Sequence, residues 1–329
     1  MHKTGLILGK FMPLHSGHIN LIEFGLNNCN KLIVLVCSEE NEEIPGTLRF
    51  KWLLEYFENR KNIELLHFEY DSSILPNTSV SSVSVSELWS KKLLKILPHI
   101  DVIFSSETYG DYLADFMKCT HKAFDINRNK TLISSTMIRE KPFKYWSFIP
   151  DNVKPYFVFR VCIVGSESTG KSTLTEKLAL YFTTNFVPEV ARDIVAHTDT
   201  VVFEDLNRIA EAHAKKIEIE IKKANKILII DTDLIITKSY SLFLFGKELT
   251  TSDWIEKLNQ NNLYLFLETD CPFIQDGTRL DEETRNTLSL HHKQVFKNNG
   301  VTLNFISGSW EDRFQKAVKI IEDKIRIIE

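Results

Sequence analysis

Arg160-Val-Cys-Ile-Val164, Gly165-Ser-Glu-Ser-Thr-Gly170-Lys171-Ser172 and Thr173-Leu-Thr-Glu-Lys-Leu-Ala-Leu-Tyr-Phe182 follow one another without a break. The first block is an apolar, β-prone run, and the last carries apolar residues at helical spacing. The octet between them fits GxxxxGK[ST] in full, so the stretch predicts a strand, a tight turn and a helix. Glycines let the backbone of such a turn wrap closely around an anion. Its N–H groups and the helix N-terminus then face the phosphates. Gly165, Ser166, Glu167, Ser168, Thr169, Gly170 and Thr173 are therefore candidate ATP contacts, with Lys171 reaching the β- and γ-phosphates and Ser172 a Mg²⁺ ligand.

The same grammar continues downstream. Lys226 to Asp231 reads KILIID, a strand ending in a carboxylate, followed by Thr232 and Asp233. Asp231 is a candidate Mg²⁺ ligand and catalytic group, although a strand-end Asp also serves as the cap of a following helix. Asp233 is a candidate substrate contact. Glu189 and Arg192, in PEVARD, fall after the second strand of this half. Small-molecule kinases with this turn place a hydroxyl-orienting base and an arginine there, whereas an i,i+3 pair is ordinarily a solvated helix contact. Arg279 and Arg285, in DGTRLDEETR, suit either a lid that neutralises a transferring phosphoryl group or a charged surface loop.

Upstream lies a second anion-binding pattern. Gly9-Lys10-Phe11-Met12-Pro13-Leu14-His15-Ser16-Gly17-His18 occupies the junction of a first strand and a first helix. Two imidazoles spaced as HxGH at a helix N-terminus supply the charge stabilisation that attack at an α-phosphorus requires. Neutral and protonated imidazoles can both donate there. Ile133-Ser134-Ser135-Thr136-Met137-Ile138-Arg139 provides capping hydroxyls and an arginine one turn into a helix. His15, His18 and Arg139 are catalytic candidates. Gly9, Lys10, Phe11, Ser134, Ser135 and Thr136 are candidate ATP contacts.

Around these motifs, β-rich runs at 5–9, 31–38, 63–70, 102–106 and 121–126 alternate with helical patterns at 19–26, 48–57 and 87–97. The Ser-rich segment 71–86 reads as a loop. Alternation resumes after 160, with a long helix over 203–224, strands over 226–231, 263–268 and 301–306, and a terminal helix over 310–325. This predicts α/β architecture, with two tandem doubly wound parallel sheets. A Pro- and aromatic-rich joint over 141–156 separates residues 1–150 from 151–329, and its Phe143, Tyr145, Trp146 and Phe148 suit packing between domains. A length of 329 residues supports two cores. A net charge of −4 argues against nucleic acid as partner. No apolar run approaches the ~20 residues of a membrane span, so a cytoplasmic protein is expected. Cys29, Cys37, Cys119, Cys162 and Cys271 are scattered, which suits small buried thiols rather than a zinc site.

HxGH paired with ISSTxIR is similar to the nucleotidyltransferase superfamily that holds the NMN and nicotinate-mononucleotide adenylyltransferases. The order HxGH, ISSTxIR, Pro/Trp-rich joint and GxESxGKS resembles, over essentially the whole chain, the NadR-like bifunctional proteins. That resemblance implies a ribosylnicotinamide kinase in the C-terminal domain and an NMN adenylyltransferase in the N-terminal one. ATP is the co-substrate of both, Mg²⁺ the cofactor, and NAD the product. It further implies that Trp89 stacks on nicotinamide, where the bare reading is a core aromatic, and that Ser105, Ser106 and Glu107 form a nucleotide-binding edge. Longer members carry a DNA-binding helix-turn-helix domain. Here the first strand starts within a few residues of Met1, so a repressor role is not carried over. A coenzyme A or flavin precursor as substrate, and a nucleotide sensor with weak or single-site catalysis, stand as alternatives. The sequence leaves open homo-oligomerisation and the choice between nicotinamide and nicotinic acid.

Overall fold

A computed structural model describes residues 2–77, 81–126, 132–195, 200–273 and 281–329, apart from the side chain of Arg192. The chain divides into two compact units, Met1–Lys154 and Pro155–Glu329.

The first unit alternates β1 (His2–Gly9), α1 (Ser16–Leu26), β2 (Cys29–Ser38), α2 (Gly46–Tyr56), β3 (Ile63–Glu69), α3 (Val83–Ile96), β4 (Val102–Ser105), α4 (Tyr109–Met117), β5 (Thr120–Ala123) and α5 (Ser135–Glu140). Its sheet runs β3-β2-β1-β4-β5. Every pairing is parallel, with Leu6 opposite Ile33 on one side and Ile103 on the other. Covering both faces with helices explains why β2 reads as a near-continuous apolar run rather than an alternating one. Gly5 is required by packing: a Cβ there would stand 2.6 Å from Phe104 Cε2 and 2.8 Å from Cys29 Sγ.

The Ser-rich segment is shorter as a loop than its composition predicts, because Ser82 accepts from the Val85 backbone N–H and starts α3 at Val83. Serines that compete with the helix interior serve well at its first position. The joint's Phe143, Ile149 and Val153 are buried, and Asn152 Nδ2 donates to the Trp52 carbonyl of α2 at 2.9 Å. The division between units falls a few residues beyond the expected boundary at 150.

The short α6 (Lys154–Phe157) spans the division, and the second unit then holds β6 (Phe159–Val164), α7 (Lys171–Tyr181), β7 (Phe186–Val187), α8 (Ala191–Ile194), α9 (Phe203–Glu220), β8 (Ile227–Asp231), α10 (Leu234–Phe245), α11 (Asp253–Leu258), β9 (Leu263–Leu267), α12 (Glu282–Asn298), β10 (Leu303–Ile306) and α13 (Trp310–Ile325). Its sheet is also parallel, in the order β10-β9-β6-β8-β7. Helix α9 stops before the expected end at 224, because a 3-10 turn, Ile221–Lys223, tightens its last residues. In both units the first strand, β1 or β6, has neighbours reached in opposite directions. That arrangement opens a crevice beyond the strand's C-terminal end. Of the five thiols, Cys29, Cys37 and Cys162 are buried, and burial pushes Cys37 up to about 12.

One buried cation ties the end of β1 to β2 and α2. Arg49 is fully buried and donates to the carbonyls of Ile44 (2.9 Å), Cys37 (3.2 Å) and Lys10, while pairing with Glu42. Arg49→Met should therefore leave Glu42 with Lys10 as its ion-pair partner, deprive three carbonyls of their buried donor and cost about 3–5 kcal/mol of stability. Urea denaturation should show it as a lowered midpoint at unchanged slope.

Candidate active sites

In the first unit a cleft of about 460 Å³ opens at the C-terminal ends of β1 and β4. After Gly9 the chain turns through Phe11 at φ +49°, and His15 becomes the N-cap of α1. The His15 Nδ1 accepts from the Gly17 N–H at 3.1 Å, which leaves Nε2 as the protonated nitrogen. His18 stacks on His15 with ring centroids 3.8 Å apart, and Phe11 meets its edge at 4.9 Å. Burial, reinforced by His15, drives the His18 pKa well below the ordinary imidazole value. Both rings therefore offer oriented N–H dipoles rather than a resident charge. Ser134 caps α5 by accepting from Met137 N, Ser135 Oγ donates to the Pro13 carbonyl, and with Thr136 they line the same cleft.

In the second unit a cleft of about 450 Å³ lies beside the turn after β6. Gly165 and Gly170 adopt φ of +146° and +86°, and a Cβ on Gly165 would lie 2.8 Å from the Leu267 carbonyl oxygen. Thr169 Oγ1 and Lys171 Nζ donate to the Ser166 carbonyl at 2.8 and 3.0 Å, folding the loop on itself. Ser172 Oγ donates to Asp231 Oδ2 at 2.6 Å. Burial raises the Asp231 pKa to about 6; Lys171 opposes the rise and Glu189 adds to it. Glu167, Glu189, Asp233 and Thr173 line the cleft, closed on its far side by Leu206, Ile209, Ile236 and Tyr240.

A model described as "Cytidylyltransferase-like" matches residues 6–141, and one described as "AAA domain" matches 160–313. Over 346 aligned positions the chain is 29% identical to the trifunctional NAD biosynthesis/regulator protein NadR of Escherichia coli (strain K12), covering 97% of this chain and 82% of that protein. The chain is homologous to NadR. A crystal structure of NadR protein in complex with NR shares the fold at TM-score 0.79 and 21% identity, covering 98% of this chain and 95% of that one. A second, in complex with NAD and AMP-PNP, gives 0.79 at 22% identity, over 98% and 96%.

Within this NadR-like frame, several candidate residues sit differently from expectation. Arg139 does not border the cleft. It pairs with Glu43 at 3.2 Å and donates to the Met12 carbonyl and to Thr136. Lys10 does border it, but is held by Glu39 (2.8 Å) and Glu42 (2.7 Å). Burial lowers the pKa of Lys10, and the two carboxylates more than restore it, so the ammonium is a neutralised charge. Trp89 does face the cleft, anchored by Nε1 to the Pro76 carbonyl (3.1 Å) and by Tyr70 edge-on at 4.9 Å. Ser105 is buried, while its neighbours Ser106 and Glu107 line the cleft.

In the second unit of this NadR homologue, the capping role falls to Asp233, which accepts from Ile236 N at 3.2 Å and starts α10, leaving Asp231 to pair with Ser172. Arg285 belongs to no open lid. It lies in the first turn of α12, 2% exposed, over the Phe273 ring at 5.0 Å, with Nη2 toward the Thr269 carbonyl. Its Nη2 also pairs with Glu282 of the same turn at 3.5 Å. Arg279 and the Arg192 side chain lie outside the described residues. Among those described, no helix is long and apolar enough to cross a membrane.

Some wall-forming residues carry no signal in the sequence. Ser105 Oγ contacts His121 Nε2 at 2.9 Å and the Glu107 carbonyl at 2.7 Å, and His121 Nδ1 contacts Asp111 at 2.7 Å. This Ser–His–Asp chain is too buried for a nucleophile; it braces the turn that carries Ser106 and Glu107. It fits only because Gly110 has no Cβ, which would fall 2.3 Å from the imidazole. In the other unit, His213 Nε2 sits 3.2 Å from the Asp231 carbonyl, and Tyr240 Oη donates to Glu167 at 3.3 Å.

His292 packs against Tyr240 from α12 and holds Ser239 Oγ at 2.7 Å. Burial lowers its pKa to about 3 and that of His213 to about 4. Their folded-state values are depressed below ~6.5, so the unfolded chain takes up protons first as pH falls. Stability from this source is complete near neutrality and is lost on acidification. His292→Asn should flatten the slope of unfolding free energy between about pH 6.5 and 4, removing about 3 kcal/mol of the wild-type change over that range. Denaturant titrations at stepped pH would measure this, and parallel slopes would contradict it.

Proposed function

We propose that the chain performs two successive ATP-dependent transfers, one in each unit. The observation that carries this reading is that each unit has its own anion-binding strand-to-helix turn opening onto its own cleft. In the second unit ATP phosphorylates the 5′-hydroxyl of ribosylnicotinamide to give NMN. In the first, the NMN phosphate attacks the α-phosphorus of another ATP, giving NAD and pyrophosphate. The homology to NadR and the complexes of NadR with NR, NAD and AMP-PNP support these substrates.

In phosphoryl transfer, backbone N–H groups of the loop between Gly165 and Gly170 cradle the donor's phosphates, and Lys171 swings from the Ser166 carbonyl onto them. Ser172 Oγ and Asp231, 2.6 Å apart, present two oxygens to one point. That donor set suits a Mg²⁺ that completes its shell with water and phosphate oxygens rather than with a protein cage. When bound, the ion neutralises charge on the transferring group. Glu189, across the cleft, orients the acceptor hydroxyl, and the apolar wall of Leu206, Ile209 and Ile236 receives its base and excludes water.

For adenylyl transfer, the N-termini of α1 and α5 converge on the cleft. His15 and His18 donate from oriented, neutral rings, which costs no reorganisation as charge builds. Trp89 supplies a ring face for nicotinamide. Arg139 joins the phosphates by exchanging Glu43 for them, as does Lys10 with Glu39 and Glu42.

Separate sites predict separable losses. His18→Asn should lower NAD formation from NMN by about 10²–10³-fold and leave NMN formation from ribosylnicotinamide intact. Lys171→Ala should do the reverse. Loss of both activities in either variant, with the protein still folded, or turnover of neither substrate by the wild type, would overturn the reading.

A further inference from the structure

The cleft of the second unit is walled by residues that follow β7 and β8, on one side of β6. Glu189 and Val190 come after β7, and Asp231 to Asp233 end or follow β8. The phosphate loop itself runs from β6 into α7. If the acceptor fills this cleft, as proposed above, the donor's phosphates lie along the loop. The donor's nucleoside must then leave on the opposite side, over β9 and β10.

The group waiting there is Trp310. It opens α13 just after β10, and the residue is 53% exposed. It is not part of the cleft wall. The indole lies against the loop's last glycine: a Cβ on Gly170 would stand 2.2 Å from Cζ3 and 2.3 Å from Cη2. Arg313 fixes the ring from behind, its guanidinium 5.5 Å from the centroid. That guanidinium is itself 1% exposed and donates to the carbonyls of Gly308 (2.9 Å), Thr169 (3.0 Å) and Glu268 (3.1 Å). Arg313 thus bridges the phosphate loop, at Thr169, to the ring.

We propose that Trp310 is the stacking platform for the nucleobase of the phosphoryl donor in the second unit. A half-exposed indole held beside a phosphate cradle offers a π-face at a fixed offset from the phosphates. Every base can stack on such a face, so the platform sets affinity, and the larger purine rings gain most from it. This rests on the phosphoryl-transfer reading of that unit.

The test compares Trp310→Ala and Trp310→Phe in the full chain. For phosphorylation of ribosylnicotinamide, Trp310→Ala should raise the KM for ATP about 5- to 150-fold, the range that stacking one base is worth. Trp310→Phe should restore most of it, and the KM for ribosylnicotinamide should not move. Inhibition by inorganic tripolyphosphate, which has no base, should be unchanged in both variants, as should NAD formation from NMN. An unchanged KM for ATP, or equal weakening of ATP and tripolyphosphate, would overturn the proposal and leave Trp310 a structural residue of α13. If the wild type phosphorylates no ribosylnicotinamide, the reading of the unit fails separately, and the platform is then judged by ADP quenching of tryptophan emission. Greater quenching in the wild type than in Trp310→Phe supports it, and equal quenching overturns it.

Discussion

A parallel strand at the centre of a sheet ends with its backbone N–H groups unpaired by any further neighbour, and the chain must turn there into a helix whose first N–H groups are also unpaired. Both units are organised around that junction. Beyond Gly9 the open donors meet His15 and His18, and beyond Val164 they form the loop from Gly165 to Gly170. Adjacent strands supply the walls, because a parallel sheet delivers all its C-terminal ends to one edge. The helices that cover the faces, the buried Arg49 and the buried Arg313 hold the junctions in register.

The cations near these junctions arrive already compensated. Lys10 rests on two glutamates, Arg139 on Glu43 and a carbonyl, and Lys171 on the loop's own Ser166 carbonyl. An uncompensated charge at a partly buried site is costly, so the fold parks each one on an anion or a carbonyl dipole. In the proposed transfers a phosphate chain would compete for these partners, which would make ligand binding an exchange of hydrogen bonds rather than a pure gain. The imidazoles of the first unit follow another route: burial keeps His18 neutral, and its contribution is direction rather than charge.

The elements and both anion-binding turns are legible from the sequence because they depend on local pattern: apolar runs, helical periodicity, and glycines where φ is positive or space is short. The phosphate loop and the stacked histidines are of this kind. Three placements needed tertiary information. Arg285 sits in a polar segment that suits a lid or a charged surface loop, but α12 turns its first-turn face toward Phe273 and Thr269. The sequence offers Asp231 as either a metal ligand or a helix cap and Asp233 as a substrate contact; in the fold Asp233 takes the cap at the Ile236 N–H, and Asp231 meets Ser172 instead. Ser105 sits in a polar run beside a strand end, yet points inward to His121, sixteen residues away, through a gap that Gly110 leaves. No local rule joins those three positions.

The central claim, two consecutive transfers on one pyridine nucleotide, is open to a direct label-transfer measurement. Ribosylnicotinamide would be incubated with the protein and ATP labelled in either the γ- or the α-phosphate. The account predicts that NAD acquires one phosphate from each position, the γ-label on its nicotinamide side and the α-label on its adenosine side, with ADP and pyrophosphate released. NAD carrying label from only one position, or γ-label halted at NMN, would contradict it.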